Sequence, residues 1–212
     1  MAASMYDNAP LPKRGRPAYS QKTILEGAVT LFNEHGYDAT SMDLLAKHLG
    51  ISKSAIYYHV KSKEQLLSLA LDVALGSLEA VLTRIERFTG NPEEQLRYAI
   101  RGSIEVICRE LEFVTLLLRV RGNTPTELAA RERRREFDHR LSKVIVGASK
   151  TGVIDRDFDP LLVSRLVFGM INSLVEWYDP RGDCSAADLA DTVTAILLQK
   201  PLKRPASLPE GN

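Results

Sequence analysis

The sequence predicts an all-helical protein with a small N-terminal helix-turn-helix domain and a larger C-terminal helical domain. Apolar residues recur at helical spacing along most of the 212 residues. No segment alternates apolar and polar residues over five or more positions, as a half-buried strand would. Helix start signals, in which a serine, threonine or aspartate precedes an apolar run, recur along the chain. Basic residues concentrate in the first third, which indicates that the two domains have different partners.

The N-terminal third contains three short predicted helices. Gly36 and Gly50 end the first two, and Ser41 and Ser52 are the expected caps of the second and third. Two short helices joined across a glycine are typical of a helix-turn-helix, whose second helix lies in the DNA major groove. The predicted helices cover about residues 20–35, 42–49 and 53–59.

A long fourth helix is predicted to begin at the capping pair Ser62 and Gln65 and to end near Phe88. Two later starts are marked by Pro125 and Pro160, each of which follows a capping residue. The C-terminal two thirds of the chain are therefore expected to be helical throughout. The further helices are expected over about residues 93–109, 111–120, 125–150, 160–178 and 185–199.

Charge distribution and cysteine content indicate which kinds of partner and cofactor to expect. Residues 1–63 hold eight Lys or Arg and five Asp or Glu, a net charge of +3, and residues 64–212 have a net charge of −2. The basic excess favours a polyanion partner. Cys108 and Cys184 lie far apart and have no histidine or cysteine neighbours at metal-ligand spacing, so neither a metal nor a cofactor is expected. No apolar run approaches the roughly 18 residues of a membrane span, so we expect a cytoplasmic protein with no membrane partner.

The segment GISKSAIYYHVKSKEQLL, residues 50–67, carries the candidate DNA contacts. Tyr57 and Tyr58 offer hydroxyls to phosphates and rings to thymine methyl groups, while Lys53 and His59 offer hydrogen-bond donors. Ile56 is expected to pack against the first helix. The alternative to DNA contact by Tyr57 is that its ring also packs against the first helix.

The stretch from Thr23 to Leu67 resembles the N-terminal domain of the TetR family of bacterial transcription regulators. The shared features are the segment LFNEHGYDAT, the helix-turn-helix pattern and the segment YYHVKSKEQL. The resemblance implies three DNA-binding helices and a larger C-terminal domain that dimerises and holds a small ligand. It implies phosphate contacts from Thr40, Tyr57 and Lys63. Groove contacts are implied from Lys53, Ser54, Ala55 and Tyr58, and Ser41 and His59 complete the candidate set.

The chain departs from the family pattern at several DNA-facing positions. Asp43 stands where many members have a basic residue, and Ser54 and Ala55 stand where glycine and threonine are common. Because of these departures the operator sequence cannot be predicted, but DNA binding itself is still expected. The resulting domains are a flexible basic arm at 1–18, a helix-turn-helix domain at 19–62, a ligand-binding and dimerisation domain at 63–200 and a disordered tail at 201–212.

The N-terminal arm contains KRGRP at residues 13–17, which looks like the core of an AT-hook. In such a motif arginines flank a glycine, so that the thin backbone fits a narrow minor groove. Arg14 and Arg16 are therefore candidate minor-groove contacts. The alternative is a solvated tail.

The last two predicted helices are the expected dimer interface, since a symmetric operator requires a dimer. Packing within the subunit is the alternative for most of these residues. The interface candidates are Leu166, Gly169, Met170, Ser173, Leu174, Val193, Ile196 and Leu197.

Polar residues in apolar surroundings are the candidate ligand contacts. Arg131 and Arg135 lie one helical turn apart and could seat phosphates. The alternative is a solvated face with pairs such as Glu127 and Arg131. The arginine-rich seventh helix and the WYDPRG turn are similar to family members that sense acyl-coenzyme A thioesters. The full set of candidates is Tyr98, Arg101, Thr115, Arg131, Arg135, Asn172, Glu176 and Trp177.

Together these features predict a dimeric repressor that binds a palindromic operator in double-stranded DNA. A small hydrophobic or acyl-coenzyme A effector is expected to release it. One alternative is a ligand-independent architectural DNA-binding protein, which would leave the acidic helical domain without a purpose. The other is an enzyme, but no nucleophile elbow, phosphate-binding loop or HExxH motif is present.

Overall fold

The computed structural model describes residues 20–198, and the regular secondary structure within that range is entirely helical. The predicted all-helical fold is confirmed. The predicted arm and tail lie outside the described residues. The helices are α1 (Gln21–His35), α2 (Met42–Leu49), α3 (Lys53–His59), α4 (Lys63–Arg87), α5 (Pro92–Arg109), α6 (Leu111–Arg119), α7 (Pro125–Lys150), α8 (Pro160–Asn172), α9 (Leu174–Trp177) and α10 (Ala186–Leu198).

Helices α1, α2 and α3 form the N-terminal core. Gly27 of α1 allows close packing, since a Cβ there would lie 2.7 Å from Cδ2 of Leu49. Gly50 ends α2 with a φ of 65°, a left-handed conformation that glycine adopts readily. Ile56 of α3 is fully buried against this core. The turn and the buried isoleucine together fix the orientation of α3 on the domain surface.

Helix α4 is shared by the N-terminal and C-terminal parts of the chain. Its N-cap Ser62 accepts a hydrogen bond from the Gln65 N–H, and the Gln65 side chain accepts one from the Lys61 N–H at 2.6 Å. The box therefore closes one residue earlier than predicted. Among the described helices α4 alone has the length and composition of a membrane span, but half of its most apolar stretch is buried. Its apolar side chains form the core that the other helices cover.

Helix α7 runs parallel to α4 and is joined to it by polar contacts at successive heights. The pairs are Thr126 with Glu64, Arg133 with both Asp72 and Glu79, and Arg140 with Glu86. Asp72, Glu79 and Glu86 recur every seven positions on α4, and the two arginines are seven positions apart on α7. Exposed pairs of this kind contribute little individually. Together they join α7 to α4 along most of the length of α4.

The predicted helix over 160–178 is divided at Ser173. The Ser173 hydroxyl donates to the Met170 carbonyl at 2.7 Å and accepts from Nε1 of Trp177 at 3.2 Å. Serine that bonds back to the preceding turn competes with the helical hydrogen bonds and bends the helix. Helix α8 ends at Asn172, and the short α9 begins at Leu174.

Candidate DNA interface and ligand cavity

Helix α3 presents an aromatic surface next to a buried anchor. Ile56 and Val60 are buried, whereas the side chains of Tyr57 and Tyr58 are 45% and 87% exposed. The packing predicted for Ile56 is confirmed, and Tyr57 does not share it. The Ser52 hydroxyl caps α3 by accepting from the Ala55 N–H. The cap and the anchor hold α3 so that both tyrosine rings are available to a partner.

The other candidates on this surface differ in accessibility. Ser41 and Ser54 are exposed, and Ala55 is half-buried. The half-buried His59 ring meets Tyr58 edge to face, with centroids 5.2 Å apart. These side chains lie near the N-termini of α2 and α3 or on the tyrosine face of α3. Arg14 and Arg16 of the predicted arm lie outside the described residues.

Thr40 does not present its side chain to a phosphate. It is 2% exposed, and its hydroxyl donates to the carbonyl oxygens of Gly36 at 2.8 Å and Leu31 at 3.3 Å. A hydroxyl has a single proton to donate, and here it is used inside the domain. The phosphate contact predicted for the Thr40 side chain is therefore wrong in this structure. The residue instead fixes the turn between α1 and α2.

Lys63 is also engaged within the domain. Its Nζ donates to the carbonyl oxygens of Tyr37 at 2.8 Å and Thr40 at 2.9 Å, with Asp38 at 3.4 Å. It also lies over the Tyr37 ring, 4.2 Å from the centroid. An ammonium group has three donors, and the three carbonyls use them. The phosphate role predicted for Lys63 is replaced by one in holding the α1–α2 turn onto α4.

Replacing Lys63 with methionine is expected to lower the free energy of unfolding by about 2 kcal/mol, because two short hydrogen bonds and the cation–π contact are lost. Thermal melts of the purified variant would measure this. Lys61→Met is the control, since the exposed Lys61 ammonium makes no contact within residues 20–198. A Lys63→Met protein with unchanged stability and weaker DNA binding would restore the phosphate role.

A small cavity of about 30 Å³ lies in the C-terminal domain and is lined by residues of the five helices from α4 to α8. A cavity of this size holds about one or two water molecules. A larger ligand can enter only if the surrounding helices move apart. The lining residues are Leu78, Ser103, Ile107, Val114, Leu117, Leu118, Arg134, Phe137, Asp138, Leu141, Phe168, Ile171 and Asn172.

Four polar side chains line this cavity without a hydrogen-bond partner. Ser103 is 2% exposed, and its buried hydroxyl has no partner. Within the described residues, the side chains of Arg134, Asp138 and Asn172 likewise make no hydrogen bond and no ion pair. Burial raises the pKa of the Asp138 carboxyl, and the Arg134 charge only partly opposes this. Arg134, Asp138 and Asn172 are half-buried and can be hydrated, whereas a fully buried polar group is normally paired, so the unpaired Ser103 hydroxyl is the side chain that most clearly lacks a partner.

The predicted ligand residues fall in several places, and of these only Asn172 lines the cavity. Thr115 is buried but donates its hydroxyl to the Leu111 carbonyl at 2.8 Å. Tyr98 and Arg101 line a separate outer groove between α4 and α5. Arg101 also pairs with Asp191 at 2.7 Å. These three side chains are therefore not neighbours of Asn172 around one ligand.

The predicted phosphate seat on α7 is not formed. Arg131 donates to the Arg121 carbonyl at 2.8 Å, and Arg135 pairs with Glu132 at 3.3 Å. The alternative pair of Glu127 and Arg131 is also absent, because the buried Glu127 carboxylate accepts from two backbone N–H groups of the preceding turn. Both predictions for Arg131 are therefore wrong.

Glu176 and Trp177 lie on the surface. The Glu176 carboxylate is 3.8 Å from Arg119, and the Trp177 side chain is 58% exposed. Sequence reasoning missed Ser103, Arg134 and Asp138, which do line the cavity. For α7 a signal existed, since residues 134, 137, 138 and 141 have the spacing of a single helical face.

Helices α8 and α10 expose an apolar surface, here called the α8/α10 face. Leu166 and Ile196 are 61% and 56% exposed, and no atom lies within 4 Å of a Cβ placed on Gly169. Of the other interface candidates, Ser173 is exposed and Met170, Val193 and Leu197 are half-buried. An open groove of about 900 Å³ adjoins this face and is lined mainly by apolar residues, including the exposed Phe158.

Leu174 does not belong to the α8/α10 face. It is 3% exposed and packs in the subunit core. Its assignment to the interface is wrong. Leu162, on the same helix as Leu166, is also exposed, at 55%.

Helix α6 touches both the cavity and the DNA-binding domain. Three of its residues line the cavity. At its start, the Glu112 carboxylate accepts from the Thr30 hydroxyl, and the Glu112 carbonyl accepts from the Asn33 amide, both at 2.9 Å. At its end, Arg119 donates to the Asn33 carbonyl at 3.3 Å. If a ligand displaced α6, these hydrogen bonds would therefore transmit the displacement directly to α1.

The chain has a helix-turn-helix domain, which α4 and α6 connect to a helical domain with an internal cavity. This arrangement defines a DNA-binding transcription regulator. The chain belongs to the TetR family. Residues 24–70 match the family model described as bacterial regulatory proteins, tetR family. Residues 89–200 match the model described as Tetracyclin repressor-like, C-terminal domain. The chain is a transcription regulator and not an enzyme, in agreement with the prediction.

Relatives with known names or structures cover nearly the whole chain. The TetR-family member SCO3833 from Streptomyces coelicolor A3 is 45% identical, with a TM-score of 0.78 over 91% of this chain and 98% of that one. AibR, solved with isovaleryl coenzyme A and operator DNA, is 28% identical, with a TM-score of 0.70 over 84% and 97% of the two chains. The transcriptional repressor KstR2 of Mycolicibacterium smegmatis is 27% identical over 86% of this chain and 91% of its own length.

Proposed function

We propose that this regulator is a dimeric repressor whose effector binds in the cavity between α4 and α8 and releases the operator. The observation that carries the proposal is the cluster of unpartnered polar side chains around a cavity whose wall includes α6. The same helix is hydrogen-bonded to α1 of the DNA-binding domain. The name of KstR2 supports repression as the sign of regulation.

The charges around the cavity indicate which chemical group the effector places there. Arg134 and Asp138 carry opposite formal charges, so the polar wall is neutral overall. A free carboxylate would gain from Arg134 but would lie next to the Asp138 carboxylate. A neutral group that donates or accepts hydrogen bonds, such as a thioester carbonyl, an amide or an alcohol, meets no such repulsion. The acyl-coenzyme A bound by AibR contains a group of this kind.

Isovaleramide and isovalerate form a matched pair for a thermal-shift test, because they share the acyl chain and differ at neutral pH in the charge of the head group. The amide is expected to raise the melting temperature. At 100 times its dissociation constant, a ligand adds about 2.7 kcal/mol to the stability of the native state. Free isovalerate should have no effect at the same concentration. Stabilisation by the acid alone would contradict the neutral-head assignment.

Ser103→Ala is expected to leave the ligand-free protein as stable as the wild type or to stabilise it by about 1 kcal/mol, because it removes a buried hydroxyl that has no partner. Ser164→Ala is the matched control. Ser164 is equally buried at 2%, but its hydroxyl donates to the Pro160 carbonyl at 2.8 Å. Thermal melts should show a loss for Ser164→Ala only. Equal losses for both variants would show that Ser103 has a structural partner and is not reserved for a ligand.

The operator is expected to be near-palindromic. Two copies of α3, related by the symmetry of a dimer formed through the α8/α10 face, would enter successive major grooves about 34 to 36 Å apart or a small multiple of that distance. Selection of bound duplexes from a random library would reveal the half-sites and their spacing. A single half-site without a symmetric mate would contradict the dimeric mode of binding.

A further inference from the structure

The N-terminal ends of α2 and α3 are joined by an ion pair across the candidate DNA surface. Lys53 is the first residue of α3, and Asp43 is the second residue of α2. The Lys53 Nζ donates to Oδ2 of Asp43 at 2.9 Å, although both side chains are substantially exposed, at 46% and 73%. This hydrogen bond, together with the charge of Asp43, raises the pKa of Lys53.

A carboxylate at this position is electrostatically unfavourable for contact with the DNA backbone. Helix N-termini attract phosphates, because their free N–H groups and dipoles favour negative charge. The hydroxyl caps Ser41 and Ser52 stand beside the pair at the starts of α2 and α3. Asp43 therefore places a negative charge where a phosphate would otherwise bind. That charge weakens every placement of the protein in which α2 meets the DNA backbone.

The same carboxylate restricts Lys53. An unrestrained lysine is a flexible point charge that pairs with any nearby phosphate. Asp43 accepts one of its three donors and holds the ammonium at the start of α3, the end of a recognition helix that meets base edges. Two donors remain for acceptors in the major groove, such as O6 and N7 of guanine.

We propose that Asp43 is a positioning residue for sequence readout: it directs Lys53 towards the bases and weakens contact with DNA of other sequences. The proposal depends on DNA binding by α3 and not on the identity of the effector. It differs from a stabilising role, because its main effect is on the ratio of specific to non-specific affinity.

The test compares binding of full-length wild type and Asp43→Asn to two duplexes of equal length. One contains the operator selected from a random library by the wild type, and the other is its scrambled sequence. The variant is expected to bind the scrambled duplex several-fold more tightly and to lose about 5- to 10-fold in the affinity ratio. The slope of log affinity against log salt for the scrambled duplex should become steeper by up to about 0.9 for each subunit that contacts the duplex, since each brings one more net positive charge to the phosphates. Asp183→Asn makes the same change of charge in the segment before α10 and should alter neither quantity.

A double-mutant cycle with Lys53→Gln separates positioning from simple repulsion. If Asp43 acts mainly through Lys53, Asp43→Asn should change the affinity ratio much less in the Lys53→Gln background than in the wild type. An equal change of the ratio in both backgrounds would overturn the positioning role and leave only repulsion of DNA. An unchanged ratio in the single variant, or a fall in both affinities together with a lower melting temperature, would also overturn it.

Discussion

Replacing Leu166 with arginine is expected to convert the protein into monomers and to lower operator affinity at least about 100-fold. Leu166 is 61% exposed at the centre of the α8/α10 face. In a symmetric dimer the substitution enters the interface twice and brings unpaired charges together in an apolar contact. A monomer engages only one half-site and loses the effective concentration that links the two, which is commonly worth about 10²- to 10⁴-fold.

Sedimentation velocity and fluorescence anisotropy with the selected operator would measure both effects. Leu128→Arg is the control, since Leu128 is 55% exposed but lies near the start of α7 and not on the α8/α10 face. The control should remain dimeric and bind the operator as the wild type does. A dimeric Leu166→Arg protein with full operator affinity would place the interface elsewhere.

Tyr58→Ala is expected to lower operator affinity at least about 30-fold without changing stability. Its side chain is 87% exposed on α3, so its removal leaves no cavity in the core. A specific base contact is worth about 1 to 3 kcal/mol, and the substitution occurs once in each half of the dimer. The lower bound of about 2 kcal/mol corresponds to roughly 30-fold in affinity.

Anisotropy titrations with operator and scrambled duplexes should show that Tyr58→Ala loses affinity mainly for the operator. Tyr57→Ala is the informative comparison, because its half-exposed ring is assigned to phosphate and should weaken both duplexes alike. If Tyr58→Ala lowered the affinity for both duplexes by the same factor, Tyr58 would be assigned to phosphate contact, like Tyr57.

Helix positions could be predicted from the sequence because their signals are local. Ser41, Ser52 and Asp159 each accept a hydrogen bond from the first turn of the helix that follows, as their sequence context indicates. Helix α8 is the exception. A serine that bonds back to its own helix has no distinctive pattern, so the division at Ser173 could not be predicted.

Side-chain roles depend on distant partners and were harder to predict. Thr40 and Lys63 fit a DNA-binding motif. The motif does not show that the Lys63 ammonium donates hydrogen bonds to backbone carbonyl oxygens more than 20 residues away in sequence. Arg133 in the same way pairs with residues 54 and 61 positions earlier on α4. The four polar residues of the cavity come from α5, α7 and α8, so only their packing brings them together.

Helices α4 and α6 offer two mechanical routes from the cavity to the DNA. Helix α4 contributes Leu78 to the cavity wall and begins at Lys63, which holds the α1–α2 turn. Helix α6 bonds α1 directly through Glu112. Because the cavity is small, an effector must displace one or more wall helices. In the proposed mechanism, either movement changes the orientation of α3 and hence the distance between the two copies of α3 in the dimer.

Calorimetric titration of an acyl-coenzyme A into the free protein and into the protein saturated with operator tests effector-driven release most directly. Coupling between two sites is reciprocal, so the effector must bind more weakly to the operator complex by the same factor by which it weakens operator binding. We expect a factor of about 5 to 150, equivalent to about 1 to 3 kcal/mol. Equal effector affinities in the two titrations would contradict release of the operator by this ligand, and would favour an architectural DNA-binding protein.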